Sequence, residues 1–133
     1  MEVYRIVKRI YANDLSGDGS RLFGGRWNVQ GVSCIYAATS RSLAILELSV
    51  NTSKKNIPND LVMLTIVIPD VCIQQIKVGN LPKNWQAHPS SIETKNFGTK
   101  LLTSGKHLAY LLPSAVVLEE NNIIINPLHV DIK

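Results

Sequence analysis

The sequence has little of what builds a stapled, metal-bound or membrane-embedded protein. It holds two cysteines, Cys34 and Cys72, too few for a disulfide framework or a thiolate zinc site. Its three histidines, His88, His107 and His129, are far apart and lie near proline or glycine. They form no ligand spacing, so no metal is expected. No apolar run approaches the ~20 residues of a membrane-spanning helix. Charged residues make up 18%, below the usual quarter or so, and no dense basic run exists. Lys8–Arg9 and Lys54–Lys55 are the adjacent basic pairs, so a nucleic-acid groove is only weakly signalled and nucleic acid is not expected as a partner of this chain alone. A GxSxG elbow, a GxGxxG fingerprint and a phosphate-binding P-loop are all missing, which removes the commonest serine-hydrolase and nucleotide-binding signatures. There is no internal repeat, low-complexity tract or linker.

What is present suits one compact domain: 133 residues, 45% of them apolar, with a formal charge of +4. That mild basic balance suits a polyanionic ligand or an acidic partner. Both cysteines sit in strand-like apolar runs. One disulfide or two buried free thiols remain open, the second fitting a reducing cytoplasm. Residues 1–8 are charged and short, unlike a signal peptide, and a cytoplasmic location is expected.

Val3 to Lys8 alternates as a first strand. Asn13 to Gly31 is a polar stretch punctuated by five glycines. Loops beyond roughly 12–15 residues in a compact domain are usually functional or disordered. Leu22, Phe23 and Trp27 give this one something to pack with, so an ordered, functional loop is expected. Val32 to Ala38 reads as a strand. Thr39 or Ser40 can cap a helix running to about Asn51. LVMLTIVI, Leu61 to Ile68, is branched and almost wholly apolar, which predicts a strand covered on both faces. Ile73 to Val78 is a further strand. Ser90 to Ser104 is a helix with Gly98 as a weak point and Gly105 as its stop. Ala115–Leu118 and Ile123–Ile125 are expected as two short strands joined through Glu119–Asn122. Strands outnumber helices and the crossovers are irregular, which predicts an α+β class.

Four residues carry chemical interest. Glu47 lies in LAILELSV on the helical face of Leu43 and Val50, where an unpaired carboxylate is costly. A glutamate at the stripe's edge, reaching water or a lysine, is the alternative. Arg26 follows two glycines in GGRWN. Glycine lets backbone approach a ligand closely, and a guanidinium offers a planar fork to phosphate or carboxylate; a tight turn with a solvated arginine is equally open. In the same motif Trp27 can stack on a base or anchor the loop, and Asn28 can bind a ribose hydroxyl or satisfy backbone groups. Tyr36 is a mid-strand tyrosine, by default a core residue with a bonded hydroxyl. Ser114, after Pro113, is by default a turn serine.

Taken together, DLSGDGSRLFGGRWNVQGVSCIYAATSRSLAILELSV resembles the signature region of RES domains, the toxins of RES–Xre toxin–antitoxin pairs. LLPSAVVLEENNIIINPLH resembles the same family's closing signature. The two stretches bracket almost the whole chain, so residues 1–133 read as one RES domain. Thr52 to Thr103 matches more loosely. LPKNW, ending at Trp85, resembles a family element there. The glycine-then-tryptophan feature of many members before the PS motif is missing, with Phe97–Gly98 its nearest counterpart.

The resemblance implies an ADP-ribosyltransferase-like mixed sheet with flanking helices. It implies a toxin that cleaves NAD at the nicotinamide–ribose bond, by hydrolysis or phosphorolysis, with NAD as substrate rather than cofactor, and arrests growth by depleting it. The family's catalytic arginine, tyrosine and glutamate fall on Arg26, Tyr36 and Glu47. Its serine falls on Ser114, and Arg5 matches a further arginine often kept near the pocket. An Xre-type antitoxin is the implied partner, with inorganic phosphate a candidate co-substrate. Transfer of ADP-ribose to a macromolecule is the second reading. A non-enzymatic module binding nucleic acid or a partner is the third.

Overall fold

The computed structural model describes residues 1–51 and 59–129; the basic pair Lys54–Lys55 lies outside them. Among the described residues a six-stranded mixed sheet runs in the order β3-β1-β2-β6-β5-β4. The strands are β1 (Glu2–Lys8), β2 (Ile35–Ala38), β3 (Leu61–Val67), β4 (Ile73–Gln75), β5 (Ala109–Pro113) and β6 (Asn121–Ile125). The helices are α1 (Asp18–Phe23), α2 (Arg41–Asn51) and α3 (Ile92–Ser104). All pairings are antiparallel except β4 with β5. The α+β class read from the sequence is what forms. No helix among the described residues is long and apolar enough to cross a membrane.

Strands β3 and β4 lie at opposite edges of the sheet, yet only Ile68 to Cys72 separates them in the chain. The sheet therefore curls. Ile66 and Ile73, from those two edges, pack on one buried cluster built from Val3, Ile35, Ala109, Leu111, Ile123 and Ile125. The period-2 alternation of β5 and β6 sends Tyr110, Leu112 and Ile124 to the other face, where they meet Trp27, Trp85 and Leu102.

Strands β1 and β2 pair at a single position, Tyr4 with Ala38, whereas β1 and β3 pair along seven. From Arg5 onward in β1 and back from Ala37 in β2 the two strands are unpaired with each other, and helix α2 packs against both. This gap in the middle of the sheet is what makes room for a site.

The helix ends follow the sequence signals. The Ser40 hydroxyl accepts from the Leu43 amide at 3.0 Å to cap α2. Ser91 caps α3 through Thr94, and Gly105 ends it at φ 68°.

Several expectations are corrected. The glycine-rich stretch contains α1, which begins after Gly17 and stops at Gly24, both at positive φ. The strand expected from Val32 starts only at Ile35, and that expected over Ile73–Val78 ends at Gln75. Strand β3 is an edge strand, half-buried to exposed along its length, not a doubly covered one. The strand assigned to Ala115–Leu118 is instead β5, on the other side of Pro113. The Ser114 hydroxyl accepts from the amides of Val116 and Val117 and folds that segment into a turn. Val50 is 55% exposed, so the inward face of α2 carries Leu43 and Glu47 without it. Gly98 is no weak point: a Cβ there would lie 2.1 Å from the Trp27 carbonyl oxygen. No disulfide joins the two cysteines; Cys34 is buried and Cys72 half-buried.

Candidate functional site

The gap between β1 and β2 forms a cavity of about 410 Å³, within the range of small-molecule sites. Strand β1 contributes Arg5, the glycine loop Arg26, β2 Tyr36, α2 Glu47 and β6 Asn122. Five of the residues singled out from the sequence, Arg5, Arg26, Trp27, Tyr36 and Glu47, are thus brought to one wall or another of the same space.

Glu47 is half-buried, and both its oxygens are held. Asn122 Nδ2 donates to Oε1 at 2.6 Å and also reaches the Ala37 carbonyl at 3.4 Å. The Ser114 hydroxyl donates to Oε2 at 3.4 Å. Burial raises the Glu47 pKa above the usual carboxylate value. The Asn122 and Ser114 hydrogen bonds and the nearby Arg26 charge oppose that rise, and Glu120 adds to it. The result is a desolvated carboxylate, oriented and accessible from the cavity.

The two arginines differ. Arg26 Nη1 donates to the carbonyls of Trp85 and Ala87 at 3.0 and 2.8 Å, and Nη2 lies 3.4 Å from His88 Nδ1. Its fork braces the 85–88 segment while one side faces the cavity. Arg5 makes no hydrogen bond or ion pair among the described residues, and burial lowers its pKa, with Asp14 the nearest opposing charge. A half-buried, unpartnered guanidinium on a cavity wall is a ready anion site.

The rest of the GGRWN motif builds the wall. Trp27 is buried, stacked on Trp85 at 6.4 Å and tilted against Phe97 at 6.2 Å. Of the two roles the sequence left open, this packing anchors the loop, and Trp27 also borders the cavity. Asn28 is fully buried. Its amide donates to the carbonyls of Ser20 and Val32 at 2.9 Å, and its Oδ1 accepts from the Tyr36 hydroxyl. Asn28 therefore binds backbone and does not line the cavity. The Tyr36 hydroxyl also accepts from the Trp27 amide at 2.9 Å. Burial pushes its pKa upward, so it stays neutral, and Tyr36 lines the cavity with its hydroxyl bonded to Asn28 and the Trp27 amide. Gly25 is required by close approach: a Cβ would lie 2.6 Å from that hydroxyl. Helix α3 grips the loop from outside, with Lys95 donating to the Gly25 carbonyl at 2.6 Å and Thr99 accepting from the Val29 amide at 3.1 Å.

Ser114 is fully buried beneath Glu47 and does not line the cavity; its hydroxyl meets the Glu47 carboxylate. Asn122 escaped sequence reasoning. The signal was there: it shares the period-2 face of Ile124 just before an all-isoleucine run, a polar residue where an apolar one is expected. Among the described residues no cluster of His, Cys, Asp and Glu could hold a metal ion.

Comparison with known proteins agrees with this architecture. The family model described as RES domain matches residues 2–133. A protein of Sphingobium sp. (strain YBL2) named "Prs ADP-ribosylating toxin" is 41% identical over 125 residues, covering 92% of this chain and 78% of that one. "Toxin Res" of Yersinia enterocolitica is 38% identical over 130 residues, covering 97% and 86%. Among solved structures, the crystal structure of the M. tuberculosis MbcT–MbcA toxin–antitoxin complex superposes at TM-score 0.75 with 19% identity, over 93% of this chain and 72% of the matched one.

Proposed function

The chain belongs to the RES domain family, and on that premise we propose that it is a toxin that cleaves NAD at the nicotinamide–ribose bond. The observation that carries this reading is the half-buried Glu47 carboxylate, held on both oxygens at the wall of a cavity that two arginines also line.

As the C–N bond breaks, its electron pair leaves with nicotinamide, whose ring nitrogen thereby becomes neutral. No general acid is needed for a leaving group that starts as a cation. The ribose left behind is oxocarbenium-like, with positive charge at the anomeric carbon, as in glycoside cleavage. A fixed carboxylate in a poorly solvated cavity stabilises that charge. Glu47 supplies it, with the Ser114 hydroxyl beneath its second oxygen. Arg5, without a hydrogen-bond partner among the described residues, takes the pyrophosphate, with Arg26 adding positive charge from the glycine loop. The Tyr36 ring packs against nicotinamide or ribose and restricts the conformer that reacts. Water or inorganic phosphate then adds at the anomeric carbon, water losing a proton to solvent. Depletion of NAD arrests growth.

A second reading has a specific observation behind it: the 41% identical relative is named an ADP-ribosylating toxin. The same cleavage with a macromolecular nucleophile in place of water gives a transferase. An antitoxin partner, of Xre type, accompanies either reading. It is supported by the family membership and by the toxin–antitoxin complex among the structural neighbours.

Purified protein is incubated with NAD, with and without phosphate, beside Glu47→Gln. Nicotinamide release by the wild type and a fall on the order of 10²–10³ in the variant are expected. Equal turnover by the variant excludes the role given to Glu47. Labelled NAD added with lysate separates the two readings, since label on macromolecules selects the transferase.

A further inference from the structure

Asn122 is the residue of the cavity that the activity above does not yet account for. It sits on β6 opposite Ala38 of β2, beside the point where β1 and β2 part. Its Nδ2 makes the shortest hydrogen bond to Glu47, 2.6 Å to Oε1, and a longer one of 3.4 Å to the Ala37 carbonyl. Both partners are acceptors, so the amide must present its NH₂ to them, and its orientation is set by chemistry. The same constraint leaves the amide oxygen Oδ1 turned away from Glu47. The second Glu47 oxygen has only the 3.4 Å contact to Ser114, whose hydroxyl is itself fixed by the Val116 and Val117 amides.

We propose that Asn122 is the positioning residue for Glu47: the sheet, through this one amide, fixes the orientation of a carboxylate borne on a helix. The inference rests on the NAD-cleaving role given to Glu47, and its geometry stands apart from that role. A glutamate has three side-chain torsions, and α2 alone would leave its head group free to swing. The amide comes from a strand registered by its neighbours on both sides, so it varies less in position than a loop donor would. The bond is charge-assisted, and its loss removes the strongest opposition to the burial that disfavours the charged carboxylate. The other charges facing Glu47 are Arg26 from the glycine loop, which favours ionisation, and Glu120 from the turn before β6, which opposes it. Arg5 lines the same cavity. None of these touches Oε1 within hydrogen-bond distance.

The test titrates Glu47 directly, by carbon NMR of labelled glutamate carboxyls, with the Glu47 signal assigned by its disappearance in Glu47→Gln. Wild type, Asn122→Ala and Asn122→Asp are compared, with thermal melting as the check on folding. The Glu47 midpoint is expected to move to higher pH in Asn122→Ala. It should move further in Asn122→Asp, which keeps the size but sets a second carboxylate against the first. In NAD turnover, kcat falls about ten- to a hundredfold, as for loss of a hydrogen bond to a charged group. KM stays within about twofold, since substrate binding is left intact. The acid limb of the rate profile moves with the NMR midpoint. An unmoved midpoint in either folded variant overturns the proposal. A moved midpoint in a protein that consumes no NAD upholds the positioning and removes the NAD reading instead.

Discussion

The cavity has two unlike walls. On the glycine-loop side almost every polar atom is already committed: Asn28 to three backbone carbonyls and the Tyr36 hydroxyl, Tyr36 to the Trp27 amide, Arg26 to the carbonyls of Trp85 and Ala87. On the sheet-and-helix side, Arg5 has no hydrogen-bonding partner among the described residues, and Glu47 is held but desolvated. A satisfied network makes a rigid, uniquely packed wall. Groups left under-satisfied in a cavity carry interaction energy that a ligand can collect. Most polar atoms of the GGRWN motif are thus spent on the scaffold, while Arg5 and Glu47 offer the cavity less satisfied groups.

The largest expected consequence is the loss of turnover in Glu47→Gln given above, with the fold intact. Its counterpart on the loop side is Gly98→Ala. A Cβ 2.1 Å from the Trp27 carbonyl has nowhere to go, since the obstacle is backbone. Forcing α3 off the loop is expected to destabilise by about 3 kcal/mol, the upper end of overpacking costs, read as a lowered melting temperature. A variant that melts like wild type would show that the loop is not held by α3.

The two arginines sharpen the contrast. Arg5→Gln is expected to raise the KM for NAD about ten- to a hundredfold, as for loss of charge-assisted bonds to phosphate, without lowering the melting temperature, because its donors bond to nothing among the described residues. Arg26→Gln is expected to lower the melting temperature, because the Trp85 and Ala87 carbonyls lose their donor. The reverse pattern would exchange the roles of the two side chains.

The smallest effect is on stability against pH. Glu47 has a raised pKa in the fold, chiefly through burial. The unfolded chain therefore ionises it more readily than the folded one. Its contribution is most favourable below the unfolded carboxylate range and is lost as pH rises through the folded value. Glu47→Gln should thus melt higher than wild type at neutral pH, and the difference should vanish in acid. A constant difference across that window would mean that the carboxylate is not strained by burial.

How far the sequence could be read depended on whether a signal was local. Caps at Ser40 and Gly105, the alternation of β1 and the anomaly of Glu47 in an apolar stripe all act within a few residues, and each was legible. Strand β5 was not. Its apolar run lies between Gly105 and Pro113, and the AVVL run after Ser114 looks equally strand-like; only the turn closed by the Ser114 hydroxyl decides between them. Helix α1 was hidden for a similar reason, since five glycines in one stretch read as loop while two of them, at positive φ, are the ends of a helix. Strand β3 looked doubly covered because its composition is apolar, and composition does not say which strand ends up at an edge.

The sequence by itself determined the α+β class and the caps at Ser40 and Gly105, which follow from spacing and from residue types whose backbone and side-chain preferences hold in any context; it marked Glu47 as an anomaly without deciding which way it faces, and the resemblance of whole motifs, not spacing, pointed to the family. The tertiary structure alone decided that Asn28 bonds to backbone carbonyls, that Trp27 stacks on Trp85 and that Ser114 meets Glu47, that Arg5 has no hydrogen-bond partner among the described residues, and that Asn122 meets Glu47 across 75 positions of chain. Hydrogen-bond satisfaction is a property of which groups finally face one another, and only the folded register of β1, β2 and β6 fixes that.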